Sequence, residues 1–140
     1  MWHSTEMMAE AVFNGLVKEN LSVQSLDLHV NRRDDIMTEL LDAKGIVLGS
    51  STLHNGILPD MADLLSYMKG LRPKDKIGAA FGSYGWSGEG VKMLNQAMEE
   101  MKFEIADPGL RVKYVPTGED LKKCEELGRK IGKAVREATQ

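Results

Sequence analysis

Apolar and polar positions along the chain switch repeatedly between a helical period and short extended runs. Residues 5–19 place Met8, Ala11, Val12 and Leu16 on one helical face. Val23, Leu26, Leu28 and Val30 then predict a short strand, and Arg33–Leu41 a helix with Ile36, Met37, Leu40 and Leu41 apolar. Gly45-Ile46-Val47-Leu48-Gly49 is a continuous apolar run of the kind that forms a strand buried on both faces. Ile57, Met61, Leu64, Leu65 and Met68 make the next helical stripe, with Pro59 tolerated in its first turn. Lys76–Phe81 predicts a second buried strand, Val91, Leu94, Met98 and Met101 a further helix face, and Leu110–Val115 a last strand. Thr117-x-x-Asp120 is a capping-box start for a long final helix carrying Leu121, Cys124, Gly128, Ile131 and Val135 on one side. Strands alternating with helices predict an α/β fold whose parallel sheet is covered by helices on both faces.

Composition narrows the function classes. A chain of 140 residues is one domain's worth of protein, and 42% apolar with 28% charged residues is ordinary for a globular one. Eighteen basic against 21 acidic residues leave a net charge of −3, which argues against nucleic acid as a partner. No apolar run approaches the roughly 20 residues of a membrane span, and Met1–Glu6 has no signal-peptide character. The single cysteine, Cys124, cannot form an internal disulfide, so the expected setting is the reducing cytoplasm.

Ligands of open parallel sheets bind beyond the carboxyl ends of the strands. The segments at those ends are glycine-rich, hydroxyl-bearing and nearly uncharged. Trp2-His3-Ser4-Thr5 precedes the first helix, whose free N–H groups with two hydroxyls would suit an anion; Ser4 acting as an ordinary N-cap explains the same residues. Ser50-Ser51-Thr52-Leu53-His54-Asn55-Gly56 follows the first buried strand and carries an Asn-Gly turn signal, as a plain strand-to-helix loop also would. Gly82-Ser83-Tyr84-Gly85-Trp86-Ser87-Gly88 follows the second, and its spaced glycines and aromatics suit a backbone passing close to a flat ring.

Other chemistries are excluded by pattern. There is no GxxxxGK[ST] or GxGxxG phosphate loop, and Gly85-Trp86-Ser87-Gly88-Glu89 misses the last glycine of a nucleophile elbow. His3, His29 and His54 lie upstream of it and, with one cysteine, offer no metal-ligand spacing. The Gly45–Gly49 strand ends in serines rather than in a phosphoacceptor aspartate.

Trp2-His3-Ser4-Thr5-Glu6-Met7-Met8-Ala9 resembles the phosphate loop of the flavodoxin-like domain of A-type flavoproteins, the flavodiiron proteins. Ser50–Pro59 and Ile77–Gly88, with its Ser-Tyr-Gly-Trp-Ser-Gly stretch, are similar to that family's two further flavin loops, and Leu110–Pro116 to the segment entering its last helix. The resemblance implies a flavodoxin-like three-layer α/β/α sandwich over residues 1–140 and FMN as cofactor. By position it places Ser4 and Thr5, with the backbone of Trp2, His3 and Glu6, at the phosphate. Thr52, Leu53, His54, Asn55 and Gly56 would border the ring on one side, and Ser83, Tyr84, Gly85, Trp86, Ser87 and Gly88 on the other. The implied role is to relay electrons from rubredoxin or another reduced donor to a diiron, metallo-β-lactamase-like domain or subunit, within a homo-oligomer. The diiron site would lie outside this chain.

The sequence departs from the family in lacking the first, normally central, strand and the hydroxyl residue before the methionine matching Met1; it reads as an N-terminally truncated domain. It also has Ser51 where many relatives place proline. In the strand order 2-1-3-4-5 the flanking strands would stand roughly 9.5 Å apart. They would close up, accept a strand from another chain, or flank a strand lying outside the 140 residues; the last is the reading adopted. Alternatives to the relay are an FMN-free interaction or oligomerisation module and a stand-alone flavodoxin-type carrier.

Overall fold

The computed structural model describes residues 4–28, 30–53, 56–57, 59–71, 73, 75–84 and 89–139, with 52, 53, 56 and 57 described for their backbone alone. In chain order the elements are α1 (Ser4–Val17), α2 (Arg33–Asp42), β1 (Gly45–Gly49), β2 (Thr52–Leu53), β3 (Gly56–Ile57), α3 (Pro59–Leu71), β4 (Ile77–Tyr84), α4 (Glu89–Glu100), β5 (Glu104–Ile105), β6 (Leu110–Lys113) and α5 (Gly118–Ala138). β4 is central: β1 pairs with it in parallel from Gly45↔Ile77 to Gly49↔Phe81. On its other edge lie β5, from Ile77↔Glu104, and β6, from Phe81↔Leu110 to Tyr84↔Lys113, both parallel. β2 and β3 form a separate antiparallel ribbon, Thr52↔Ile57 and Leu53↔Gly56.

Side-chain alternation along the strands splits the core into two layers. Ala79 and Phe81 of β4 and Val112 of β6 point to α1 and α5, where they meet Met8, Val12, Cys124, Leu127 and Ile131. Ile46 and Leu48 of β1 and Ala80 of β4 point the other way, into Ile36, Met37, Met61, Leu65, Met68, Leu94 and Met98 of α2, α3 and α4. The continuous apolar runs are thus buried on both faces, as a parallel sheet requires.

Helix ends follow the expected chemistry. Pro59 stands first in α3, where its missing N–H is no loss. Thr117 caps α5: its hydroxyl accepts from Asp120 N–H at 3.2 Å and the Asp120 carboxylate accepts from Thr117 N–H at 2.9 Å. Lys76, buried at the foot of β4, donates to the Leu41 carbonyl at 2.8 Å and to that of Ala43, satisfying the end of α2. Its burial lowers the ammonium pKa, with Asp42 opposing the shift. α1 and α5 touch through glycines. A Cβ on Gly15 would overlap the Glu125 carbonyl oxygen, and one on Gly128 that of Val12.

Two expectations change. The strand over Val23–Val30 does not form: residues 21–27 carry no regular structure, and Leu26 and Val30 are exposed. A strand needs a neighbour for its N–H and C=O groups, and among the described residues β1 pairs with β4 alone, so closure of this segment onto β1 does not occur. The second buried strand runs on through Gly82, Ser83 and Tyr84, which were expected in a loop, because β6 supplies partners there. The sheet edge itself is interrupted between β5 and β6. Ala106 N–H still donates to the Gly78 carbonyl at 3.1 Å, and residues 107–109 then leave the ladder, Gly109 at φ +103°, held by Asn95 Nδ2 donating to the Pro108 carbonyl (2.6 Å) and Lys130 Nζ to Asp107 (2.8 Å).

Candidate functional site

The N-terminus of α1 meets the carboxyl ends of β1 and β4. Ser4, the first residue of α1, is buried, Thr5 is half-buried and Glu6 is exposed. The amides of this first turn have no carbonyl within the helix to receive them, and they carry the positive end of the helix dipole. After β1, Ser50 N–H donates to the Phe81 carbonyl at 3.2 Å, extending the ladder by one residue. The Ser50 hydroxyl donates to the Ser51 carbonyl at 3.0 Å, which sets the turn that carries Ser51 toward α1. Gly82 permits this close approach, because a Cβ there would overlap the Ser50 carbonyl oxygen.

Three hydroxyls from distant segments then converge. Thr5 Oγ1 lies 2.8 Å from Ser51 Oγ and 2.9 Å from Ser83 Oγ, and the two serine oxygens are 3.3 Å apart. Ser51 and Ser83 are 4% and 1% exposed. The junction is neutral and rich in O–H groups, beside a helix N-terminus.

Beyond Ser51 the chain enters the β2–β3 ribbon, whose backbone lies against α4 and β4. Thr52, Leu53 and Gly56 are in this ribbon, with Leu53 opposite Gly56. Tyr84, half-buried, ends β4, and its carbonyl accepts from Tyr114 N–H at 2.6 Å. Tyr114 takes φ 59°, rare for a non-glycine residue, as the chain turns away after β6. The structure therefore brings Thr5, Ser51 and Ser83 to one point, with Ser4 next to Thr5 in the first turn of α1 and the ribbon and Tyr84 on the α4 side of the sheet end. Trp2, His3, His54, Asn55, Gly85, Trp86, Ser87 and Gly88 lie outside the described residues. The sequence placed Ser51 in the candidate segment after β1 but gave it no role at the cofactor. Its signal was the run of hydroxyl residues directly after a buried strand.

A family model described as Flavodoxin matches residues 1–128. The chain belongs to the flavodoxin family. It is 49% identical over 132 residues to a nitric oxide reductase of Moorella thermoacetica, covering 94% of this chain and 33% of that one. To the rubredoxin-oxygen oxidoreductase of Megalodesulfovibrio gigas it is 40% identical, covering 97% of this chain and 34% of the other. The solved structure of the Desulfovibrio gigas rubredoxin oxygen:oxidoreductase superposes with a TM-score of 0.96 at 40% identity, over 99% of this chain and 35% of that one. An archaeal flavodoxin superposes at 0.86 with 36% identity, over 97% and 93% of the two chains. The chain spans about a third of the length of the curated relatives it matches. It corresponds to the flavodoxin-like part of flavodiiron proteins.

Membership of the flavodoxin family implies FMN as cofactor. The residues present fit that group. Neutral hydroxyls and the first-turn amides of a helix are donors suited to a phosphate, which lysine-free sites of this kind bind through the backbone and the dipole. The Gly82 contact holds the end of β1 against β4, and so keeps the donors converging on one point.

Proposed function

We propose that this chain is the FMN-carrying electron-transfer module of a flavodiiron-type oxidoreductase, working in the cytoplasm. It takes electrons from rubredoxin or another reduced donor and passes them to a diiron centre on another domain or subunit. The observation that carries the reading is the convergence of Thr5, Ser51 and Ser83 under the first turn of α1, at the carboxyl ends of β1 and β4. Residues 1–140 form one flavodoxin-like domain in this reading, and it assembles as a homo-oligomer.

Bound FMN supplies one- and two-electron redox chemistry; the protein supplies binding, orientation and electrostatics. Ser4, Thr5 and the first-turn amides, with the backbone of Trp2, His3 and Glu6, would hold the phosphate. Thr52, Leu53, His54, Asn55 and Gly56 would border the ring on one side and Tyr84, Gly85, Trp86, Ser87 and Gly88 on the other, while the Ser83 side chain turns to the Thr5 junction instead. A neutral site leaves the phosphate charge to be balanced by N–H and O–H dipoles rather than by a cation.

The test is to incubate the full chain with FMN, remove excess by gel filtration, and record the visible spectrum before and after adding reduced rubredoxin without oxygen. Retained flavin absorbance that bleaches as rubredoxin is oxidised is expected. Retention without bleaching removes rubredoxin as the donor. A colourless protein refutes the reading and favours an FMN-free interaction module.

A further inference from the structure

The hydroxyl junction fixes more than the presence of donors; it fixes where their hydrogens go. Each hydroxyl carries one hydrogen and two lone pairs. O–H···O hydrogen bonds lie at about 2.5–3.0 Å. The two edges meeting at Thr5, 2.8 and 2.9 Å, fall inside that range, and the Ser51–Ser83 edge, 3.3 Å, falls outside it. Two hydrogens therefore serve the two short edges, and one of the three is left over.

Burial decides which one. Ser51 and Ser83 are 4% and 1% exposed, and among the described residues their side chains have no partner besides Thr5 and each other. A buried O–H that donates to nothing carries the full cost of its lost hydration. Thr5 is half-buried, in the first turn of α1, and has an open side. The arrangement that satisfies all three has both serines donating into Thr5 Oγ1, which fills its two lone pairs. The Thr5 hydrogen then points out of the triangle, at the N-terminal turn of α1.

We propose that Ser51 and Ser83 are positioning residues: by donating to Thr5 they hold its hydroxyl hydrogen outward as a fixed donor to the phosphate of FMN. Two hydrogen bonds into one oxygen also polarise the hydroxyl and strengthen what it donates. The inference rests on the FMN reading above and deepens it, since a fixed donor demands an acceptor. The site should therefore distinguish the phosphorylated flavin from riboflavin, which shares the ring and lacks the phosphate.

The experiment is a fluorescence-quenching titration of the full chain with FMN and, separately, with riboflavin. It compares wild type, Ser51→Ala, Ser83→Ala, Thr5→Val and the double variant Thr5→Val with Ser51→Ala. Thr5→Val, which removes the donor, is expected to weaken FMN more than about tenfold, the worth of one charge-assisted hydrogen bond. Each serine variant, which keeps the donor and loses part of its orientation and polarisation, is expected to weaken FMN about two- to fivefold. All should leave riboflavin within about twofold. In the Thr5→Val background, Ser51→Ala should add nothing. If instead the three hydrogens circulate around the triangle, removing the serine that accepts from Thr5 frees the Thr5 hydrogen. One serine variant would then bind FMN as tightly as wild type or more tightly, and that result overturns the proposal. An equal loss of FMN and riboflavin overturns it too, because it marks a packing role. A wild-type chain that quenches neither flavin overturns the FMN reading itself. Should Ser51→Ala fail to fold, Ser83→Ala reads the same quantity.

Discussion

At Gly128 one added methyl group should be costly. On Gly128 in α5 a Cβ would overlap the Val12 carbonyl oxygen, 3.0 Å from the Val12 carbonyl carbon and 3.1 Å from Leu16 N. All of these atoms belong to the backbone of α1, so no rotamer can yield and the helices must separate. The side chains filling that interface are Met8 and Val12 from α1 and Leu127 and Ile131 from α5. Each contributes about 1.5–3 kcal/mol by burial, and a gap of roughly 0.5–1 Å forfeits a quarter to a half of the contact energy. The loss is then about 2–4 kcal/mol, offset by about 1 kcal/mol because alanine is the better helix former. Gly128→Ala should lower stability by about 1–3 kcal/mol net, and the melting temperature by roughly 4–12 °C. Gly70 in α3 supplies the control. Nothing lies within 4 Å of its would-be Cβ, so Gly70→Ala should stabilise by about 0.5–1 kcal/mol. Urea denaturation followed by circular dichroism at constant m reads both. The close-contact argument fails if Gly128→Ala is neutral or stabilising. It fails equally if Gly15→Ala, which would overlap the Glu125 carbonyl from the opposite helix, adds its full cost on top of Gly128→Ala. Helices already parted by one methyl should accept the second at a discount.

Cys124 is fully buried, and burial, with Asp120 adding to it, pushes its thiol up to about 11 from an ordinary 9.0. The unfolded chain then loses that proton first. The thiol's contribution, on the order of 2–3 kcal/mol, is complete below pH 9 and lost between pH 9 and 11. Cys124→Ala should flatten that alkaline slope in urea melts, and in wild type Ellman's reagent should react at the rate of unfolding. Glu19 is 4% exposed, yet it meets Arg129 Nε at 3.5 Å and Arg136 at 3.3 Å, two arginines that are about half exposed. Glu19→Ala should cost about 1–2 kcal/mol, less than a fully buried pair because the arginines can rehydrate. A wild-type advantage over Glu19→Gln that fails to shrink in added salt would contradict an ionic role. Thr117→Ala removes the α5 capping box and should cost about 1 kcal/mol by thermal melting; an unchanged melt would mean Asp120 alone holds the helix start.

The parts of the fold legible in the sequence were those encoded locally. The stripe Met61, Leu64, Leu65, Met68 faces the core as its spacing predicts, and Thr117 and Asp120 form the capping box their separation announces. What the sequence hid depends on partners far along the chain. Val23–Val30 has strand-like composition, but pairing is a property of two segments, and among the described residues nothing pairs with it. Gly82, Ser83 and Tyr84 read as a loop because glycine and serine have low strand propensity; β6 nonetheless recruits them into the sheet. The candidate site divides in the same way. Ser4 and Thr5 were visible as a hydroxyl-bearing helix start. The company they keep was not, since Ser51 and Ser83 stand 46 and 78 residues from Thr5 and no local pattern joins them.

The break between β5 and β6 bears on how the molecule behaves in a crowded solution. An exposed sheet edge is a template on which another chain can add a strand. Here that edge is cut into a two-residue piece and a four-residue piece, with Gly109 turning the backbone out of line between them. The longer piece displays Arg111 and Lys113 to solvent. A visiting strand would find too short a run of N–H and C=O groups on this edge to hold it, and two positive charges on the longer of its two pieces. Asn95 and Lys130 anchor the intervening turn from the two helical layers, so the interruption persists as long as the core does. On this flank the protein resists fibril growth by geometry and charge together.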